Sequence, residues 1–310
     1  MARYIVGRLV SIVLVLLAVS AITFLMMHAV PGGPFDETKR ALSDEAKGNV
    51  RRMYGLDKPL YVQYLRFVYN AARLNFGYSY QFPGETIAQV FGRTWQPTVI
   101  IGVCTLVVAI VFGVILGVAS AYAQNTWLDY LLTFGTTLGL VIPAFVLVVG
   151  LIVLFSRVLR WLPSGGWGRP EQLILPLLGN SLGSTCFVAR FTRSSVLEVM
   201  HREYVRTAKA KGVSGLRLAT KHVLRNALTP LVTVFGPMLP GIVTNSVFVE
   251  SMFRVPGMGT FFVNAVGFRD YPMILATTTL IAFLVGIANL LTDIAYTWVD
   301  PRVRLESTRR

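Results

Sequence analysis

Six stretches of this chain contain no Asp, Glu, Lys or Arg: the residues between Arg8 and Asp36, Thr94 to Leu128, Tyr130 to Ser156, Gln172 to Ala189, Asn226 to Val249, and Tyr271 to Thr292. A helix needs about 20 mostly apolar residues to cross the hydrocarbon core of a bilayer, so each stretch predicts one span. Across the 310 residues, 54% are hydrophobic and only 14% charged, where soluble globular chains carry about 25% charged residues; the mean hydropathy is +0.60. A soluble enzyme, a disordered chain and a disulfide scaffold are excluded. The expected fold class is an all-α integral membrane protein of six transmembrane helices, with an extracytoplasmic segment after the first.

The formal charge of +14 is compatible with nucleic-acid binding, but no basic stretch is interleaved with aromatics in the way a single-strand binder requires. A membrane protein gathers the same excess in its cytoplasmic loops. Between spans four and five lie Arg190, Arg193, Arg202, Arg206, Lys209, Lys211, Arg217, Lys221 and Arg225, against only Glu198 and Glu203. That loop is expected in the cytoplasm, and six spans then place both termini there, in agreement with Arg3 and Arg8 at one end and Arg302, Arg304, Arg309 and Arg310 at the other. A cleaved signal peptide is the alternative for the first span. The run from Leu9 to Val30 exceeds the roughly 7–15 residues of a signal core and lacks a clear small-x-small site, which favours an uncleaved helix.

The organisation expected is an N-terminal transmembrane helix over 1–30, an extracytoplasmic segment over 31–96, a five-helix core over 97–302 containing a cytoplasmic coupling loop at 193–226, and a cytoplasmic tail over 303–310. Within the outer segment Leu60, Tyr61, Tyr64, Leu65, Phe67, Val68 and Leu74 recur beside polar residues and predict a short interfacial helix. Trp161-Leu-Pro-Ser-Gly-Gly-Trp167 reads as a turn with tryptophans at headgroup depth.

No catalytic constellation is visible. His28, His201 and His222 are scattered, and there is no His-Glu-x-x-His, Gly-x-Ser-x-Gly or Gly-rich phosphate loop. Cys104 and Cys186 have no metal-ligand spacing and read as packing residues. No catalytic residue, metal or cofactor is therefore expected in this chain. Glu250 and Asp293 lie near span ends, where a carboxylate is solvated or paired, so a proton relay is the weaker reading.

The informative stretch is Glu203-Tyr-Val-Arg-Thr-Ala-Lys-Ala-Lys-Gly212. Its residues up to Lys211 are good helix formers, Gly212 is placed to end the helix in a left-handed cap, and Val213 to Pro230 can hold a second helix leading into span five. Glu203, Arg206 and Lys209 share one face; Tyr204, Ala208 and Lys211 share another. From charge alone, a surface helix on anionic lipid and a knob that docks into a partner protein stand level.

These residues resemble the membrane permeases of bacterial ABC importers, in their oligopeptide/dipeptide branch. Arg206-Thr-Ala208 stands at the first triplet of the family's cytoplasmic signature, Gly212 at its glycine and His222-Val-Leu-Arg225 at its end, where the family's Ile and Pro are replaced. Similar elements run through the chain: Ala29-Val-Pro-Gly-Gly-Pro34, Tyr54-Gly-Leu-Asp-Lys-Pro59, the Trp161 turn, Asn245-Ser-Val-Phe-Val-Glu250, Val255-Pro-Gly-Met-Gly259, Arg269-Asp-Tyr271 and Asp300-Pro-Arg302.

The resemblance implies a type I permease subunit of an oligopeptide importer in the bacterial inner membrane, paired with a second permease, two ATP-binding subunits that hold ATP and Mg, and an external peptide-binding protein. Glu203, Tyr204, Arg206, Thr207, Ala208, Lys209, Ala210, Lys211 and Gly212 would couple to the ATPase. Trp161, Trp167, Phe253, Arg254 and Arg269 would meet the binding protein, and Thr244, Asn245 and Ser246 would line the pathway. A permease for dipeptides, nickel or glutathione, and an ion-coupled carrier, remain as alternatives.

Overall fold

The computed structural model describes residues 2–31, 55–82 and 84–299. The rest of the outer segment and the tail from 300 onward, including Tyr54 and the closing Asp300-Pro-Arg302 element, lie outside them. Among the described residues the chain is helical, with one isolated bridge between Tyr78 and Thr86. Each charge-free stretch falls on helix: α1 (Ala2–Ala29), α3 (Ile87–Tyr122), α4 (Trp127–Val141) with α5 (Ala144–Leu151), α6 (Glu171–Met200), α8 (Arg225–Met252) and α10 (Tyr271–Val299). The short elements are α2 (Leu60–Ala71), α7 (Glu203–Ala210) and α9 (Met258–Gly267).

Among the described residues four helices are long and apolar enough to cross a membrane unaided. The span expected over Tyr130 to Ser156 is not a single rod. It bends by 108° between Val141 and Ala144, because Pro143 lacks an N–H and pushes the residue before it out of the helical region; Ile142 sits at φ −72°, ψ 125°. Beyond the bend the α-helix passes into a π-helical stretch, Ile152–Val158. The fifth stretch, α8, has 28 residues and reaches about 42 Å at 1.5 Å per residue. At that length it can span the hydrocarbon core.

The chain forms two compact units, each discontinuous in sequence: Met1–Thr98 with Val255–Gly286, and Val99–Arg254 with Ile287–Arg310. In the first, Phe24 and Met27 of α1, Ile87, Val90 and Phe91 of α3, and Tyr271 and Met273 to Ala276 of α10 form the core, with Tyr64 and Phe67 of the expected interfacial helix α2 packed against it. Tyr64 Oη donates to the Leu17 carbonyl at 3.0 Å. Asp270 caps α10 by accepting from the Met273 N–H at 3.3 Å, and its other oxygen accepts from the Ser79 hydroxyl and the Tyr80 N–H. One buried carboxylate thereby ties the outer loop to the start of the last helix.

In the second unit α6 is the central helix, approached closely by α3 and α4 at Gly113, Gly117 and Gly139. A Cβ on Gly117 of α3 would stand 2.4 Å from the Ala189 carbonyl, one on Gly113 2.5 Å from Val188, and one on Gly139 of α4 2.4 Å from Cys186. Small residues at helix contacts are the usual device of membrane bundles, where apolar surface has no water to escape and close packing supplies the association energy. Cys186 is a packing residue in this seam.

Candidate functional site

The residues after α6 build a short elbow. Arg202 is extended, at φ −70°, ψ 146°, and starts α7, which runs from Glu203 to Ala210. Val205 is completely buried and Ala208 nearly so, in a cluster with Ala121 of α3, Val196 of α6, Leu218 and Val223 of the segment leading into α8, and Ala227 in its first turn. This three-residue spacing gives α7 one anchored face. Glu203, Tyr204, Arg206, Thr207, Lys209, Ala210 and Lys211 are all exposed, and among the described residues none of Glu203, Arg206, Lys209 and Lys211 forms an ion pair.

Gly212 closes the helix at φ +78°. Its N–H reaches the Lys209 carbonyl at 3.0 Å, and the Val213 N–H reaches back to Ala208 at 3.1 Å. These are the two bonds of a Schellman cap, which requires a left-handed residue between them. The chain then re-enters helix at Gly215, passes through a π-helical stretch over Leu218–Leu224 and continues as α8. The Ser195 hydroxyl on α6 donates to the Ala227 carbonyl at 2.8 Å in a buried position. The elbow is thus packed against the ends of both helices it connects.

The outer residues are distributed differently. The Gly166 N–H donates to the Phe253 carbonyl at 2.8 Å, and a Cβ on Gly165 would lie 2.2 Å from that same oxygen. The Trp161–Trp167 turn is therefore fastened to the end of α8. Trp161 is 70% exposed, Trp167 is half-buried and Arg254 is exposed. Phe253 departs from the expectation of a surface contact: it is wholly buried, its ring filling the space left by Gly179, so it supports the turn from below. Arg269 belongs to the other unit and donates to the Pro31 carbonyl at 3.0 Å. Thr244 and Asn245 are exposed on α8, whereas Ser246 is buried and donates to the Val243 carbonyl. Glu250, expected near a span end where a carboxylate is solvated or paired, has no exposed surface.

A basic, exposed helix held by two small anchors and a glycine cap, on a chain of apolar helices, can be compared with known proteins. The family model described as "Binding-protein-dependent transport system inner membrane component" matches residues 109–305, and the model of that component's N-terminal region matches residues 1–115. The chain belongs to this family. It is similar to the dipeptide transport system permease protein DppB of Bacillus subtilis, at 36% identity over 98% of this chain and 99% of the relative. It is equally similar to the oligopeptide transport system permease protein OppB of Haemophilus influenzae, at 36% identity over 98% of this chain and all of the relative. The fold matches a solved structure of the MetNI methionine ABC transporter with a TM-score of 0.59 at 19% identity, covering 69% of this chain and 97% of that one. The molecule is accordingly a multi-pass inner membrane component of the ABC importer permease fold.

This inner membrane component holds one arrangement that sequence reasoning missed. Arg193 of α6 grips Asp129 of α4 with two parallel bonds, Nε to Oδ1 and Nη2 to Oδ2, each 2.8 Å, and Asp129 is 3% exposed. Ser120 of α3 donates to the same carboxylate at 2.6 Å, and the Asn125 N–H at 3.1 Å. The available signal was that Asp129 alone interrupts an otherwise charge-free run from Thr94 to Ser156. By charge pattern alone Arg193 belongs with the basic loop.

Proposed function

We propose that this component is the permease subunit of an ATP-driven importer of oligopeptides, forming half of the translocation pathway and taking its drive from ATPase subunits through α7. The observation that carries the reading is the elbow. Its exposed residues are free of internal ion pairs and so available to a partner, while Val205, Ala208 and Ser195 hold it firmly to the helices that would move. The names of the relatives, dipeptide and oligopeptide permeases, support a peptide cargo.

In this reading ATP and Mg reside on two partner subunits, this chain is non-catalytic, and a second permease and an external peptide-binding protein complete the assembly. Thr244 and Asn245 line the pathway, with Ser246 packing behind them. The Trp161–Trp167 turn with Arg254, and Arg269 separately, meet the binding protein. Both termini are cytoplasmic.

Reconstitution in liposomes tests the function. Peptide uptake should require ATP, the ATPase subunits and the binding protein together; uptake by this chain alone on an ion gradient would overturn it. Orientation has its own measurement. In a background with Cys104 and Cys186 replaced by alanine, Ala72→Cys and Ala210→Cys should react with impermeant thiol reagents from opposite sides of the membrane. Labelling from the same side would sink the topology.

Charge reversal on α7, as Arg206→Glu or Lys209→Glu, should lower uptake by less than about fivefold, because single exposed ion pairs contribute about 0–1 kcal/mol. A complete loss from either would mean that the coupling contact is a buried ion pair.

A further inference from the structure

A polar cleft of about 240 Å³ opens where α3, α4 and α6 converge, lined by Leu116, Gly117, Ser120, Leu132, Thr133, Thr136, Ala189, Arg190, Arg193 and Ser194. Its position along the membrane follows from α6. Arg190 directly succeeds the charge-free residues Gln172 to Ala189, which extend about 27 Å as helix, close to the thickness of the hydrocarbon core. On the neighbouring α4, Trp127 is 75% and Tyr130 66% exposed, the residue types that mark headgroup depth. The cleft therefore lies where acyl chains give way to headgroups.

Its charge is specific. Arg193 is neutralised by Asp129 yet commits only Nε and Nη2 to that carboxylate, leaving its Nη1 donors unused. Arg190 forms no ion pair or hydrogen bond among the described residues, nor does the Ser194 hydroxyl. Residues 190, 193 and 194 fall on one face of α6 by their three- and four-residue spacing. The cleft thus presents one uncompensated cation, a second guanidinium with spare donors and a free hydroxyl, between apolar walls of Leu116 and Leu132.

We propose that this cleft binds the phosphodiester of an anionic phospholipid, with Arg190 supplying the compensating charge and Arg193 and Ser194 donating to the phosphate oxygens. A single net cation matches the single charge of a phosphodiester. Leucine walls suit a glycerol backbone and the first methylenes of its acyl chains, and have no role toward a small free anion. The buried Asp129 holds the Arg193 guanidinium in place, so the site is preformed. This inference rests on membership of the inner membrane family and is independent of the coupling role of α7.

Native mass spectrometry of the intact assembly, stripped of lipid and then titrated with phosphatidylglycerol or with zwitterionic phosphatidylcholine, tests it. Phosphatidylglycerol should occupy the site in preference, and Arg190→Gln should weaken that occupancy by about fivefold, the effect of one arginine near a lipid surface. Arg190→Lys should retain most of it, and Arg206→Gln, on α7, should retain all of it. The presence of the whole assembly in the same spectrum shows that each variant folds. Equal phosphatidylglycerol occupancy in Arg190→Gln, or equal binding of the two lipids, would overturn the proposal. Displacement of phosphatidylglycerol by millimolar inorganic phosphate would instead make the cleft a free-anion site and equally refute it.

Discussion

Replacing Gly212 with valine should lower peptide uptake by about an order of magnitude while the chain still inserts and assembles. Gly212 stands at φ +78° with nothing within 4 Å of where a Cβ would be, so the obstacle is the backbone conformation and not a clash with a neighbour. A side chain branched at Cβ costs on the order of 1–2 kcal/mol in the left-handed region. The cheaper course for the chain is to give up the two capping bonds to Ala208 and Lys209, and the last turn of α7, with Lys209 and Ala210 and the capping Lys211, then frays. If α7 transmits the ATPase movement, hydrolysis continues without productive uptake. Gly212→Asn, which tolerates this conformation far better, should recover most of the activity. Uptake and binding-protein-stimulated ATP hydrolysis are measured together in the assembled complex. Unchanged uptake in Gly212→Val would remove α7 from the coupling role.

Asp129→Asn should produce the largest loss of stability. The change leaves the Arg193 guanidinium against a neutral amide in a largely buried setting, and breaking one side of a buried ion pair costs roughly 3 kcal/mol, the low end of the usual range because Arg193 keeps a solvent-facing edge. The α4–α6 contact, already drawn tight at Gly139 and Cys186, loses its only described salt bridge. Replacing both partners with apolar residues of similar size, Asp129→Leu with Arg193→Met, should recover most of the stability, since no buried charge is then left alone. Thermal unfolding in detergent reads both variants. A double variant as unstable as Asp129→Asn would show that the hydrogen bonds from Ser120 and Asn125, and not charge pairing, hold this corner.

The features legible beforehand are those governed by solvent or by the local backbone. A charge-free run of 18 or more residues is obliged to become helix in lipid, because no other single-segment structure satisfies its peptide groups there; this is why, among the described residues, each of the six stretches is mainly helix. The end of α7 was equally readable, since a run of helix formers followed by glycine stops in one conformation only. Pro143 could be seen, but whether a proline kinks a span or breaks it by 108° depends on what packs against both halves.

What the sequence determined by itself, then, was the fold class, the positions of the helical stretches and the position of the elbow. Which face of α7 turns inward was decided by tertiary contacts: Ala208 appeared to share a surface with Tyr204 and Lys211, but Val205 and Ala208 together enter the cluster around Val196 and Ala227. The same holds for Phe253, drawn inward by the space over Gly179, for the pairing of Asp129 with Arg193 across 64 positions, and for the assembly of each compact unit from two separated pieces of chain. Hydropathy and backbone preference act along the chain, one residue or one turn at a time. The partner of a side chain depends on the rotation of its helix and on which neighbour comes close, and both are set only when the helices pack.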